Sequence, residues 1–276
     1  MGEKEIEGAG YAVVLRIMKF YITTSIAYAN AGPHIGHVLE YIQADVLARS
    51  HRLAGDDVFF LTGMDEHGRK VARVAEGTGK DPQAFVDEVA SQFRDLRDVC
   101  SLSYDDFIRT SDRARHWPAV TKVWDQLVAH GDIYKKEYEG LYCVGCEAFV
   151  TAKEIEDGKC RIHGKEIERI REENYFFRLS NYAKEIELKI RNNELRIIPE
   201  GKKNEMLRFL EEGLEDISFS RPRKDLAWGI PVPHDDTQTI YVWADALVNY
   251  ISALGYGSGD DAKFAIYWPA DIHCIG

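Results

Sequence analysis

The sequence predicts an α/β fold, a doubly wound parallel sheet interrupted by an inserted domain. Three observations carry that expectation. Phe20 to Ile26 is β-branched or aromatic at most positions, and a tight loop leads from it into a helical pattern from Ile35. Val58-Phe59-Phe60-Leu61-Thr62 is a continuous apolar run, as expected of a parallel strand covered on both faces. Residues 132–180 are short in pattern, mixed and turn-rich, and only Thr239 to Trp243, followed by a helix over Ala244 to Leu254, returns to the earlier style.

The first helix sets Ile35, Val38, Leu39, Ile42, Val46 and Leu47 at helical spacing and ends at Gly55. A right-handed crossover brings the strands on either side of it together, with the loop before Ile35 and Asp65 both at carboxyl ends. That is the edge where open α/β sheets bind ligands. Asp81-Pro82 caps a second helix with Phe85, Val89, Phe93, Leu96 and Val99 on one face. A third runs from about Asp112 to Gly131, and helical periodicity resumes at Asn181 and at Asn204. The expected division is a disordered extension over residues 1–17 and a first half-domain over 18–130. An insertion over 131–238 and the start of a second half over 239–276 follow.

Composition bounds the function. The chain has 276 residues, 45% hydrophobic and 29% charged, enough for roughly two domains. No apolar run approaches the ~20 residues that span a bilayer. Tyr11 to Leu15 is too short for a signal peptide, and Ile6 stands where myristoylation needs Ser or Thr. The expectation is a cytoplasmic protein with no membrane partner. A net charge of −11 leaves a nucleic-acid partner only local patches such as Gly201-Lys202-Lys203-Asn204 and Arg221-Pro222-Arg223-Lys224, which read equally well as solvated loops.

Two clusters carry chemistry. His34 and His37 fall three apart on the first turn of the first helix, where free backbone N–H groups and the helix dipole attract polyphosphate. Both imidazoles can donate to one anion, and Gly36 between them lets a flat base or ribose lie against the backbone. Alone, these residues equally describe a helix start with two exposed histidines. The second cluster is Cys143-Val144-Gly145-Cys146, then thirteen residues, then Cys160-Arg161-Ile162-His163. Two knuckles supply the four ligands that close a tetrahedral zinc site. With every position filled by protein, such a zinc activates no water and is structural. A disulfide is the alternative, disfavoured in a cytosolic chain. Cys100 and Cys274 read as ordinary buried thiols.

Pro33-His34-Ile35-Gly36-His37 after a short buried strand resembles the nucleotide-binding signature of the class I aminoacyl-tRNA synthetases. Ala27-Tyr28-Ala29-Asn30 is similar to the version in the methionyl-tRNA synthetase family. Thr62-Gly63-Met64-Asp65-Glu66-His67-Gly68, the stretch from Glu173 to Ser180, and Tyr241-Val242-Trp243-Ala244-Asp245-Ala246 continue that family's pattern in order, so the resemblance runs from Lys19 to Gly276. It implies a Rossmann-like catalytic domain that activates L-methionine with ATP and magnesium and then charges tRNA(Met). Carried over by position, it puts His34, Gly36 and His37 on ATP, with the two histidines catalytic. It puts Ile26, Tyr28, Asp65, Trp243, Ala246, Tyr250 and His273 around methionine, and makes Arg221 an active-site arginine. The Cys/His cluster resembles the zinc knuckle of that family's connective insertion.

Chemistry supports part of this independently. A free amino acid's ammonium needs a carboxylate, which Asp65 offers, although Asp-Glu-His-Gly also reads as a capped helix start. An aromatic pair such as Tyr28 and Trp243, expected at two strand ends, suits a polarisable thioether. The family's Lys-Met-Ser-Lys-Ser loop and helical anticodon-binding domain have no counterpart before Gly276, so the expectation is a fragment lacking part of the phosphate grip. The competing readings are another enzyme of the class, cysteinyl or leucyl, and an inactive synthetase-like, zinc-bearing RNA-binding module.

Overall fold

The computed structural model describes residues 2–8, 11–146, 148–151 and 154–275. The first of these depart from expectation. In place of a disordered extension, β1 (Gly2–Gly8) and β2 (Tyr11–Ile17) pair antiparallel, with Glu3 in register with Arg16. The run Val13-Val14-Leu15 carries β propensity that an argument from apolar length alone overlooks.

The main sheet begins with β3 (Lys19–Thr24), β4 (Ala27–Tyr28), α1 (Ile35–Leu53) and β5 (Asp57–Asp65). β3 runs parallel to β5, from Lys19 opposite Asp57 to Thr23 opposite Leu61. The strand predicted to reach Ile26 stops at Thr24 because Ser25 turns its N–H and hydroxyl onto the Glu40 carboxylate of α1, at 2.7 and 2.6 Å. The chain then re-enters as β4, with Ala27 and Tyr28 opposite Met64 and Asp65. β5 is buried on both faces as its apolar run predicts. Phe60 and Met64 join Phe20, Ile22, Tyr41 and Phe93 in one core, while Phe59 and Leu61 join Tyr21, Ile108 and Leu254 in another.

The apolar stripe of α1 is not its buried face. Ile35, Leu39 and Val46 are 82, 57 and 59% exposed, whereas Glu40, Tyr41, Ala44, Asp45 and Ala48 are buried. The two alanines permit close approach to the sheet, and both acids are satisfied, Glu40 by Ser25 and Asp45 by Ser103 and Arg49.

A short helix the sequence reading missed, α2 (Arg69–Gly77), precedes the predicted α3 (Pro82–Val99). Asp81 Oδ1 accepts from the N–H groups of Gln83 and Ala84 at 2.9 and 3.4 Å, with Pro82 in the first turn, and Phe85, Val89 and Phe93 are buried as expected. β6 (Asp106–Arg109) pairs parallel with β5, and α4 (Trp117–Ala129) starts five residues later than Asp112, where it was expected.

The turn-rich stretch folds as β7 (Ile133–Cys143), β8 (Ala148–Val150), β9 (Ile155–Glu156), β10 (Lys159–Cys160) and β11 (Glu168–Phe177). α5 (Ala183–Arg191) and α6 (Glu200–Glu211) match the helical periodicity, and β12 (Ile217–Ser218) completes a sheet of order β12-β11-β7-β8. A second sheet contains β13 (Ser220–Pro222), β14 (Pro231–Val232) and β15 (Asp235–Ile240), all antiparallel.

This corrects the expectation for residues 239–243. The predicted strand is the end of β15, paired antiparallel with β13 and β14, and it stops at Ile240. Its period of two says nothing about the direction of its partner. The predicted helix divides into α7 (Val242–Ala246) and α8 (Asn249–Ser252), where the Asn249 side chain donates to the Ala246 carbonyl at 2.6 Å. After α9 (Ala262–Tyr267), β16 (Ile272–Cys274) pairs parallel with β3 and returns the chain to the main sheet. Among the described residues no helix is long and apolar enough to cross a membrane.

The Asp81 cap supplies a stability prediction. Asp81→Ala should lower unfolding free energy by about 1 kcal/mol with an unchanged m-value, read by urea titration; an unshifted midpoint would show that α3 does not depend on this cap.

Candidate functional site

The parallel strands β16, β3, β5 and β6 end at one edge, and the candidate residues gather there. At the start of α1, His34 Nδ1 accepts the Gly36 N–H at 3.1 Å and His37 Nδ1 accepts the His34 N–H at 3.2 Å, a reciprocal cap. An Nδ1 that accepts carries no proton, so each neutral ring holds its proton on Nε2 and keeps that N–H for a ligand. The rings stack with centroids 3.7 Å apart, and His37 meets the ring of Phe93 edge-on at 5.0 Å. Burial, then the neighbouring His34, hold the His37 pKa below the usual imidazole value, so the ring is neutral at pH 7. A Cβ on Gly36 would lie 2.9 Å from His34 Cε1, which is why only glycine lets that ring fold back over the helix start.

Asp65, buried at the end of β5, stands opposite Tyr28 in the β4–β5 pairing, and its carbonyl accepts the Ala29 N–H at 2.8 Å. Tyr250 and Ile26 pack against the same core of Tyr21, Phe59 and Leu61, and the Tyr250 ring lies 4.9 Å from that of His273. Burial raises the Tyr250 phenol pKa, and the Glu40 and Asp65 carboxylates raise it further, which puts these groups in one electrostatic neighbourhood. His273 Nδ1 is 2.8 Å from Thr23 Oγ1, and Ala246 is buried one turn before Tyr250. The structure therefore brings Ile26, Tyr28, Asp65, Tyr250 and His273 to one strand edge.

Two expected members stand differently. Trp243 is on α7 and not at a strand end; it is 62% exposed, with its ring 6.3 Å from that of Tyr241. Arg221 is buried, and its Nη1 donates to Ser218 Oγ and the Ser220 carbonyl, both at 2.7 Å. Its guanidinium lies 4.8 Å from the Tyr241 ring, so Arg221, Tyr241 and Trp243 form a row. In the first suggested basic patch Lys202 pairs with Glu205 at 2.7 Å, and Lys203 donates to the Asn193 side chain at 3.0 Å.

Sequence reasoning quoted His67 and Asp245 inside longer strings without giving either a role. His67 Nδ1 is 2.8 Å from Asp245 Oδ2, and the other carboxylate oxygen is 3.4 Å from His116 Nε2. His116 Nδ1 is in turn 2.8 Å from Ser252 Oγ, and all three side chains in this cluster of two imidazoles and one carboxylate are at most 2% exposed. Burial opposes the Asp245 charge, yet the two imidazoles hold its pKa below the usual carboxylate range. Glu40 and Glu66 were missed too. Glu66 is buried against Arg109 Nε at 2.6 Å and the Ser111 hydroxyl, and Trp228 Nε1 donates to its carbonyl at 2.6 Å. His67, Glu66 and Asp245 stand inside the stretches 62–68 and 241–246 that carry the resemblance, which is their signal in the sequence; His116 has none.

The Cys/His cluster assembles as the spacing predicts. One ligand atom from each of Cys143, Cys146, Cys160 and His163 lies within 4.8 Å of the others. Cys146 Sγ is 3.5 Å from Cys160 Sγ and 3.2 Å from His163 Nδ1. A tetrahedron of metal–sulfur bonds of about 2.3 Å separates its sulfurs by about 3.8 Å, so the donor set fits zinc. A Cβ on Gly145 would come 2.6 Å from His163 Cγ, so the glycine leaves room for the fourth ligand. Burial and the neighbouring thiols push the Cys146 thiol up to about 12, the protonated state that a coordinated cation reverses.

Comparison with known proteins supplies the family. The family model described as tRNA synthetases class I (M) matches residues 20–157 and 146–276. The methionine–tRNA ligase of Caldanaerobacter subterraneus subsp. tengcongensis is 49% identical over 257 residues, which is 93% of this chain and 40% of the relative. That of Clostridium acetobutylicum is 48% identical over 259 residues, 94% of this chain and 40% of the relative. The solved structure of Mycobacterium tuberculosis methionyl-tRNA synthetase in complex with methionyl-adenylate superposes with a TM-score of 0.88 at 40% identity, over 94% of this chain and 51% of that one. The chain thus spans about 40% of the length of these curated relatives. It belongs to the class I tRNA synthetase family, in the group of the methionyl enzymes.

Proposed function

We propose that this chain is the catalytic portion of a methionine–tRNA ligase, working in the cytoplasm. The observation that carries the reading is one strand edge with the His34–His37 cap, two Nε2–H donors at a helix start, beside a buried Asp65 paired in register with Tyr28. The proposed division follows the sequence: a half-domain over 18–130, an insertion over 131–238 and the second half beginning at 239.

In this reading Mg·ATP is a substrate whose phosphates take hydrogen bonds from His34 and His37 while its nucleoside lies along Gly36. Asp65 holds the methionine ammonium, and Ile26, Tyr28, Ala246, Tyr250 and His273 enclose the side chain, with Trp243 closing over it from α7. One methionine carboxylate oxygen attacks the α-phosphorus in line, the new O–P bond forms as the bond to the bridging oxygen breaks, and pyrophosphate leaves. No general base is needed, because the nucleophile is already ionised. Catalysis is orientation plus charge stabilisation by neutral, pre-positioned donors. Arg221, through its stack on Tyr241, supports the wall beside the phosphates. The terminal ribose hydroxyl of tRNA(Met) then attacks the methionyl carbonyl, and the ester forms as the bond to the phosphate breaks and AMP leaves. We assign one structural zinc to Cys143, Cys146, Cys160 and His163, where it organises the knuckle and takes no part in the reaction.

Calorimetric titration of the chain with methionine, leucine and cysteine tests the assignment. Methionine should bind best, and Asp65→Ala should cost roughly 2–5 kcal/mol, because it leaves an ammonium desolvated without its partner. Preference for leucine or cysteine contradicts the methionyl reading.

His37→Ala in the full-length enzyme should slow adenylate formation roughly 10²-fold while methionine affinity holds; an untouched rate rejects the phosphate role. The depressed His37 pKa also sets a pH dependence. The folded value lies below the unfolded one, so the cap's contribution is complete above pH ~6.5 and is lost as pH falls through the folded value. NMR titration of the His37 ring should therefore show a midpoint below that of a free imidazole.

Elemental analysis should find one zinc per chain, and Cys146→Ala should lose it together with thermal stability. Full metal content in that variant would rule out the four-ligand site.

A further inference from the structure

We infer that Asp245, clamped between His67 and His116, is a positioning residue for the amino-acid pocket. It fixes the wall formed by α7 and α8 against the turn that follows Asp65. The inference rests on the methionine reading above and names a residue that reading leaves without a role.

The wall needs an external tie. α7 has five residues and α8 has four, both too short to hold their own conformation in water. Together they carry Trp243, Ala246 and Tyr250. Their anchorage comes from side chains: Tyr21 donates its hydroxyl to the Tyr250 carbonyl at 2.6 Å, and Ser252 meets His116 at 2.8 Å. Asp245 holds the segment nearest Trp243. Both of its oxygens are engaged, Oδ2 by His67 and Oδ1 by His116, in a site it shares with no solvent.

The partners are placed to transmit position. His67 lies two residues beyond Asp65, in the turn braced by the Trp228 indole on the Glu66 carbonyl at 2.6 Å and by the Gly68 N–H on the Trp228 carbonyl at 3.2 Å. Asp245 lies two residues after Trp243 and one before Ala246. One hydrogen bond of 2.8 Å therefore spans from the segment holding the proposed ammonium site to the segment holding the side-chain wall. A buried carboxylate tolerates little displacement, since moving away from its donors leaves charge unpaired without water to replace them. The tie is stiff for that reason. It also sets a tautomer: His67 must present a proton on Nδ1 to Asp245, so Asp245 dictates that ring's orientation against Trp117 and Trp228, whose rings lie 6.1 and 5.4 Å away.

Methionine titration of the 276-residue chain and five variants, Trp243→Ala alone among them, tests this. Asp245→Asn turns an amide N–H toward a histidine N–H and should weaken methionine binding at least tenfold. His67→Ala should fall to the same level. His67→Asn, whose amide N–H takes the place of Nδ1–H, should stay within about threefold of wild type, a rescue that loss of general packing does not produce. Asp245→Asn combined with Trp243→Ala should weaken binding by less than the product of the two separate effects, because both act through the same wall. If Asp245→Asn fails to fold, the contrast between His67→Ala and His67→Asn decides alone. Equal weakening in the two His67 variants, or wild-type affinity in His67→Ala, overturns the positioning role. A wild-type chain that binds no methionine overturns instead the functional reading beneath it.

Discussion

The parallel pairing of β3 with β5 is the constraint on which the site depends. Once Phe20 lies opposite Val58 and Ile22 opposite Phe60, both strands finish at the same edge, and the loop into α1 and Asp65 become neighbours without further instruction. The register is enforced from both sides. Phe60 and Met64 face one core and Phe59 and Leu61 the other, so a slip of one residue would exchange every side chain between two packed interiors. Each such side chain stabilises by about 1.5–3 kcal/mol when buried. The exposed Lys19–Asp57 ion pair at the far end of the same strands adds at most about 1 kcal/mol, so packing and not charge fixes the register.

Several polar groups at that edge hold one another in place before any ligand arrives. Glu40 stops β3 by holding Ser25, and this break lets the chain swing out and return as β4 with Tyr28 beside Asp65. His34 and His37 cap α1 through Nδ1, which commits both rings to the tautomer that keeps Nε2–H outward of the cap. Donors held in this way need no reorganisation when charge develops on a phosphate, which is the condition under which such donors contribute most.

Much of this was legible in the chain itself. The continuous run Val58 to Thr62, the Asp81-Pro82 cap and the knuckle spacing each follow from one local rule, and the fold obeys them. Three things were not legible, for different reasons. The buried face of α1 uses Ala44, Ala48 and two acids, because close approach to the sheet and partners distant in sequence outweigh the size of Ile35, Leu39 and Val46. The strand expected over 239–243 instead occupies 235–240, and the direction of its partner is a property of the sheet and not of the strand. His116 meets Asp245 across 129 residues, and no local signal announces a contact of that range.

The central claim is that this strand edge activates methionine. ATP–pyrophosphate exchange by the full-length protein, run with each of the twenty amino acids in turn, tests it most directly, because exchange reports reversible adenylate formation and needs no tRNA. The account requires exchange that depends on methionine and is weak or absent with the other nineteen. Exchange driven by a different amino acid, or none with any of them, would contradict it.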